Sequence, residues 1–314
     1  GGGADLGVLR EHESDPAAAA QALWREIFGA PAPFAFRGDA LALEDRWILN
    51  RLATVTAEVN ANLERRRLND AAYAGFSFFR HELCDWYLEA IKPRLRDEAQ
   101  RREALGLAVC ALAVSYKLLH PVIPFITEEL WHGLPASRGF LMVSRFPVCE
   151  GGAPWTADAA RFDAVIGIVS AVRSLRTDLN VPPGRRGRVL LRVQDDAQSR
   201  TLAADAGRIA LLAKLESVEV VVAGEDPSPA GVAVAGAVEI FLLMTGLVDL
   251  EKERDRLTKE LAKVDDFIRG SCRKLENDQF TQRAPAEVVD RERELLAENE
   301  SRAEALRKRV AALG

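Results

Sequence analysis

The sequence predicts a mainly α-helical protein, in which a helical bundle is followed by a small α/β domain and a C-terminal antiparallel coiled-coil hairpin. Three changes in the spacing of apolar residues predict this order. Apolar residues recur every three or four positions up to about residue 180, alternate in short stretches after residue 187, and follow a heptad repeat from Leu247 onward. These are the periods of amphipathic helices, half-buried strands and coiled coils, respectively.

We assign the bundle to residues 41–182 and treat residues 1–40 as a segment of uncertain fold, with one short helix near residues 17–28. Two apolar stripes open the bundle, over residues 48–63 and 72–90. Phe79 falls on the second stripe. Pro93 is expected to end that helix, because proline removes a backbone hydrogen bond inside a helix. Further helices are predicted over residues 101–119 and 162–179.

The stretch LLHPVIPFITEELW, residues 118–131, carries two prolines in an otherwise apolar helical pattern. The first helix must stop near Leu119, since proline also restricts the residue before it. Pro124 is tolerated in the first turn of the next helix, where Glu128 and Glu129 follow. The stretch therefore predicts a corner between two buried helices.

Residues 183–246 are assigned to the α/β domain. Val189, Leu191 and Val193 alternate with other side chains, and two later stretches, at 217–224 and 231–244, repeat that period. A short helix is expected near residues 208–214. Because the strands are interrupted by a helix, the segment is typical of a small α/β fold.

Residues 247–314 are assigned to the hairpin, with a heptad seam on both sides of a break at residues 277–287. Each arm would be about 40 Å long at about 1.5 Å per residue. Such a hairpin closes its own seam, so we expect a monomer. The alternative is an interaction module whose heptads mediate dimerisation.

Three stretches of the bundle resemble a known family: DRWILNRL (45–52), FRHELCDWYLEAIKPRL (79–95) and the proline corner. They are similar to the helical anticodon-binding domain of class I aminoacyl-tRNA synthetases of the valyl, isoleucyl and leucyl group. Two further stretches, AVRSLRTDLNVPPGRR (171–186) and KLENDQFTQRAPAEVVDRERE (274–294), resemble the C-terminal third of the valyl enzymes. An isoleucyl or leucyl enzyme is the alternative within the group.

The resemblance implies that tRNA is the partner, with the bundle on the anticodon region and the hairpin on the outer corner. ATP and Mg would be cofactors of the whole enzyme. The sequence shows neither a HIGH-type nor a KMSKS-type motif and begins with three glycines. We interpret it as a piece of a longer protein that holds no cofactor and is inactive alone.

Unpaired anticodon bases are bound by stacking on aromatic rings or guanidinium planes. Because Phe79 falls on the apolar stripe, Phe78 and Arg80 are the candidates for this role. Arg65 and Arg66, at a predicted helix end, are candidates for phosphate contacts.

Three further sets of cations are candidate tRNA contacts. Arg173 and Arg176 share a helical face, and Arg185 and Arg186 follow them; the alternative for all four is a solvated face with local salt bridges. Near the predicted hairpin tip the candidates are Arg269, Arg273 and Lys274.

Other classes of site and location are not supported by the sequence. We predict no catalytic residue and no metal ligand, since the four cysteines lie far apart and His120 sits at a proline corner, where packing is its expected role. The net charge of −5 argues against a globally basic nucleic-acid binder but leaves local patches open. No run of eighteen apolar residues occurs, so we expect no membrane span. The scattered cysteines are expected to be reduced thiols of a cytoplasmic protein.

Overall fold

The structure is a computed structural model that describes residues 5–32, 36, 41–247, 250–277 and 285–311. It is mainly helical, with a four-stranded mixed sheet and a C-terminal pair of helices, so the predicted fold class is confirmed. The chain divides into two compact units, Gly1–Ile166 and Gly167–Gly314.

The described part of the first unit is helical. Its elements are α1 (Gly7–Glu11), α2 (Pro16–Phe28), α3 (Leu43–Glu64), α4 (Leu68–Ser77), a π-helical segment (Phe78–Tyr87), α5 (Leu88–Arg96), α6 (Arg101–Leu119), α7 (Pro124–His132) and a 3₁₀ turn (Leu141–Val143). Helix α8 (Thr156–Asp178) begins in this unit and ends in the second.

Helix α6 is the core of the first unit. Leu107, Cys110 and Val114 are fully buried, and helices α2, α3, α5 and α7 pack around it. A helix that is apolar on all sides must be covered on all sides. The positions of the surrounding helices follow from that requirement.

The described part of the first forty residues packs into this unit. Asp15 caps α2 by accepting a hydrogen bond from the Ala18 N–H at 3.0 Å, Pro16 occupies the first turn, and Gly29 ends the helix with φ of 68°. These are standard start and stop signals. Leu23 is fully buried where α2 contacts α6, and the predicted helix near residues 17–28 is confirmed.

The proline corner has the predicted helix bounds, because α6 ends at Leu119 and α7 begins at Pro124. A ring nitrogen of His120 lies 2.8 Å from the Thr127 hydroxyl, so the histidine ties the two helices together. The prediction that both helices are buried is wrong for α7. Phe125 is 91% exposed and Ile126 is 52% exposed.

Helices α4 and α5 are joined by the π-helical segment into one continuous helix. At its end the Leu88 N–H bonds to the carbonyl of Leu83, five residues back rather than four. A π-helical turn adds a residue, so the buried positions advance from Phe78 to Leu83 to Tyr87. The predicted stripe assumed an unbroken α-helix and was therefore wrong before Leu83. Pro93 does not end the helix, which continues to Arg96.

A buried polar cluster joins α3 to the end of α5. The carboxylate of Asp45, which is fully buried, accepts hydrogen bonds from the Ala42 N–H at 3.0 Å, the Tyr87 hydroxyl at 2.8 Å and the Arg94 guanidinium at 2.5 Å. Removing one partner of such a pair typically costs about 3–5 kcal/mol, because the other charge stays buried. Burial raises the pKa of Asp45 to about 6, although Arg94 and Tyr87 oppose that effect.

The second unit contains a sheet in the order β2-β1-β4-β3. Its strands are β1 (Arg188–Arg192), β2 (Ser217–Val221), β3 (Ala230–Ala235) and β4 (Val238–Leu243), and α9 (Asp196–Ala213) connects the first two. Strands β1 and β2 are parallel, whereas β4 runs antiparallel to both β1 and β3. Helix α9 is longer than the predicted helix at residues 208–214. Its first half is small and polar, so apolar spacing alone did not reveal it.

The C-terminal helices are α10 (Leu250–Leu275) and α11 (Ala286–Ala311), which pack against each other. Leu257, Val264, Val289 and Ala303 are buried along the predicted seam. Leu313 and residues 278–284, which hold most of the predicted turn, lie outside the described residues. Two hydrogen bonds fix the antiparallel register: Arg302 donates to Glu260 at 2.7 Å, and Ser271 donates to Glu292 at 2.7 Å.

The Asp45 carboxyl should titrate near pH 6, whereas an ordinary Asp titrates near 4. Between these values the folded protein binds a proton that the unfolded chain does not. Its contribution to the free energy of unfolding is therefore complete below about pH 4 and is lost as the pH rises to about 6, by up to about 1.4 kcal/mol per pH unit.

Carbon-13 NMR of the Asp side-chain carboxyls, with Asp45→Asn for assignment, measures this midpoint. A midpoint near 4 for Asp45 would contradict the effect of burial.

Candidate nucleic-acid interface

The outer face of the π-helical segment carries Phe79 and Arg80. Phe79 is half-buried, with its ring 6.3 Å from that of Tyr116, and Arg80 is exposed. Phe78 is only 1% exposed. The prediction that Phe78 stacks on a base is therefore contradicted, since the extra residue of the π-helical turn rotates Phe78 into the core and brings Phe79 to the surface.

Arg80 is flanked by charges that are already paired. Arg51 of α3 holds the Glu82 carboxylate through two hydrogen bonds of 2.6 and 2.9 Å, and a His81 ring nitrogen lies 3.2 Å from Asp85. The bidentate pair fixes this face against α3. In the part of the chain that the structure describes, Arg80 itself has no ion-pair partner, so its guanidinium is available to a ligand.

The turn between α3 and α4 consists of three exposed arginines, Arg65, Arg66 and Arg67. Arg66 adopts a left-handed conformation with φ of 59°, which reverses the chain. Cations are favourable at the negative end of the α3 dipole, which gives these residues a structural reason to be here. Their guanidinium groups nevertheless remain open to solvent, so Arg65 and Arg66 stay candidates for phosphate contacts.

The arginines at the end of α8 are tied to backbone carbonyls. Arg173 donates to the Leu212 carbonyl at 3.0 Å, and Arg176 donates to the Arg185 carbonyl at 2.8 Å. Arg185 and Arg186 are exposed in the loop before β1. Arg176 is thus joined to the loop that carries the other two candidates, and burial lowers the pKa of its guanidinium.

The three predicted cations of the hairpin differ in their partners. Arg269 forms an ion pair with Asp266 on its own helix, and Lys274 lies 3.3 Å from Glu292 across the hairpin. Arg273 is exposed and has no ion-pair partner within the described residues. Arg273 is therefore the strongest candidate of the three for a phosphate contact.

Two families match this chain, in regions that contain all the candidate residues. Residues 45–191 match the anticodon-binding domain of tRNA ligase, and residues 249–314 match the valyl tRNA synthetase tRNA binding arm. The valine–tRNA ligase of Syntrophotalea carbinolica is 38% identical over 272 residues, which cover 83% of this chain and 30% of that protein. The chain belongs to the valyl-tRNA synthetase family.

Other relatives give the same result. The valine–tRNA ligase of Carboxydothermus hydrogenoformans is 39% identical over 284 residues, 90% of this chain and 32% of that protein. That of Geobacter sulfurreducens is 38% identical over 262 residues, 82% and 30% of the respective chains. The chain thus spans about three tenths of the length of these relatives and contains the anticodon-binding domain and the tRNA-binding arm of the family.

One cation of this valyl-tRNA synthetase chain was missed by the sequence analysis. Lys214 follows α9 in a left-handed conformation with φ of 55°, and with Arg173 and Arg176 it lines one cleft. It lies in neither matched region. The only signal in the sequence was a lysine next to a predicted helix end, which is too common to identify a site.

Three other features of the described residues belong to no predicted site. A cleft of about 470 Å³ in the first unit is lined by Trp24, Arg102 and Leu105, among others. The ammonium of Lys117 lies 5.5 Å from the centre of the Trp131 ring, and burial lowers its pKa to about 8. Exposed apolar side chains surround the proline corner, including Phe125.

Neither a metal site nor a membrane span is found in the described residues. Within the described residues, no three His, Cys, Asp or Glu side chains are grouped so that they could hold a metal ion. Among the described helices, none has both the length and the apolar character needed to cross a membrane.

The burial of Phe78 in place of Phe79 leads to a prediction about stability. Phe78→Ala should lower the free energy of unfolding by about 3–5 kcal/mol, because it leaves a cavity in the core. Phe79→Ala should cost clearly less, and Arg80→Gln should stay within about 0.5 kcal/mol, as surface changes do. Urea unfolding of the three variants measures the three losses of stability. Equal losses for Phe78→Ala and Phe79→Ala would contradict the finding that the π-helical turn buries Phe78 and leaves Phe79 nearer the surface.

Proposed function

We propose that this chain is the tRNA-binding part of a valine–tRNA ligase, with the bundle on the anticodon region and the α10–α11 hairpin on the outer corner of valine tRNA. The observation that carries the proposal is the pair of matched regions, one anticodon-binding and one a tRNA-binding arm. Relatives named valine–tRNA ligase support this specificity over an isoleucyl or leucyl enzyme. Aminoacylation, with ATP and Mg, would be carried out by sequence outside this chain.

The chemistry of the bundle surface fits an unpaired loop of RNA. Arg80 offers a planar cation, and Phe79 replaces Phe78 as the aromatic neighbour at the surface. Bases stack on such groups, and the backbone is held by cations such as Arg65 and Arg66. Arg51 and Glu82 would keep the surface rigid while it binds.

The dimensions and charges of the hairpin fit a contact made at a distance. Helices α10 and α11 have 26 residues each, or about 39 Å at 1.5 Å per residue. Their apolar seam is buried between them, which leaves few apolar side chains for a partner helix. The alternative, a coiled-coil module without RNA, would need an exposed seam, and the described residues do not favour it.

Binding assays with tRNAs of several specificities test the proposal. Valine tRNA should bind more tightly than isoleucine or leucine tRNA, and Arg80→Gln should weaken it by about 1–3 kcal/mol without a loss of stability. Equal affinity for all tRNAs would argue against specific recognition.

The chain alone should catalyse no valine-dependent exchange of pyrophosphate into ATP, and exchange would refute the assignment of catalysis to other sequence.

The hairpin contributes a separate prediction. Arg273→Gln should reduce the slope of log affinity against log salt by about 0.7–0.9, the value of one phosphate contact. Lys259→Gln removes the same charge from an exposed position about 21 Å away along α10, at 1.5 Å per residue, and should leave the slope unchanged. If both variants bind valine tRNA as the parent does, Arg273 makes no contact.

A further inference from the structure

A cleft of about 310 Å³ lies in the second unit, where the C-terminal ends of α8 and α9 meet the loop that follows α8. Its lining includes the cations Arg173, Arg176 and Lys214 and the apolar residues Val181 and Pro183. None of the described residues that line the cleft is acidic. A concave site that contains several cations attracts an anion.

The helix ends weaken this attraction without cancelling it. Each helix C-terminus carries the equivalent of roughly half a negative charge, so two ends contribute about one. The side chains of Arg176 and Lys214 contribute two positive charges. Arg173 offsets part of the dipole directly, by donating to the Leu212 carbonyl in the last turn of α9. A positive excess remains in the cleft.

Arg176 is held in position but incompletely bonded. Its Nη2 atom donates to the Arg185 carbonyl at 2.8 Å, which holds one side of the guanidinium. Its Nη1 atom is buried and has no acceptor in the described part of the chain. A buried donor without an acceptor is unfavourable, and a small rotation towards the cleft would let a ligand oxygen accept from it.

Lys214 is placed at the cleft by an uncommon backbone conformation. With φ of 55° and ψ of 50° it occupies the left-handed position at the end of α9, where glycine is the usual residue. A side chain there carries a conformational cost that glycine avoids. Lys214 is exposed and lines the cleft.

We propose that this cleft binds one phosphate group of the tRNA backbone, held by the guanidinium of Arg176 and the ammonium of Lys214, with Arg173 as a third cation. The apolar surface of Val181 and Pro183 can pack against the adjoining ribose. The inference rests on the proposed tRNA-binding function and adds a contact outside both matched regions, at Lys214.

Lys214→Gly gives the sharpest test, because it removes the ammonium while relieving the left-handed strain. The variant should unfold at the same or a higher temperature and yet bind valine tRNA roughly tenfold more weakly. Its salt slope should be smaller by about 0.7–0.9. Arg176→Gln should show the same loss, and Arg200→Gln, an exposed position about 20 Å away along α9, is the matched control.

The outcomes separate the two proposals. If the parent chain does not bind valine tRNA, the proposed function itself fails. If the parent binds but Lys214→Gly binds with equal affinity and equal slope, the cleft proposal is overturned. Titration with inorganic phosphate, followed by NMR of Lys214 and Arg176, should shift both signals. Such shifts with unchanged tRNA binding would mean that the cleft takes free phosphate, which also overturns a backbone contact.

Discussion

The burial of α6 constrains the rest of the first unit. Because this helix has almost no polar face, other helices must cover most of its surface, and α2, α3, α4, α5 and α7 do so. Each covering helix then has one face inward and one outward. Arg80 lies on the exposed side of the π-helical segment that joins α4 to α5. The Asp45–Arg94 pair joins α3 to α5 at their ends. The candidate surface therefore depends on a core that contributes no residue to it.

Apolar spacing predicted the elements whose periods are unbroken. The bounds of α6 and α7 and the seam of the hairpin followed from the sequence, because proline and heptad signals act locally. The π-helical segment could not be predicted in this way. The extra residue of the π-helical turn leaves the apolar content unchanged, so the apolar stripe looks continuous in the sequence. The buried positions nevertheless move by one residue between Phe78 and Leu83. Helix α9 was underestimated for a different reason, since its small residues carry little apolar signal.

The candidate site was less predictable than the fold, because a charge pattern does not reveal which charges are already paired. Arg269, Arg273 and Lys274 are close neighbours in the sequence, yet the structure pairs the first with Asp266 and the third with Glu292. Exposed ion pairs are weak, about 0–1 kcal/mol, so RNA can compete for these cations. Within the described residues Arg273 has no carboxylate partner, so it breaks no ion pair there when it binds a phosphate. This favours Arg273 over the other two cations.

This pairing also explains how a chain with a net charge of −5 is compatible with tRNA binding. Screening limits the reach of each charge to about 8 Å at physiological salt, so a phosphate responds to its immediate surroundings rather than to the total charge. Some carboxylates form ion pairs with arginines of a neighbouring helix, as Glu82 does with Arg51, and their charge is partly neutralised locally. Cations at turns and helix ends that have no carboxylate partner in the described residues, including Arg66 and Lys214, then act as separate positive charges. An RNA backbone, whose phosphates are also separate points, is the ligand that such a distribution suits.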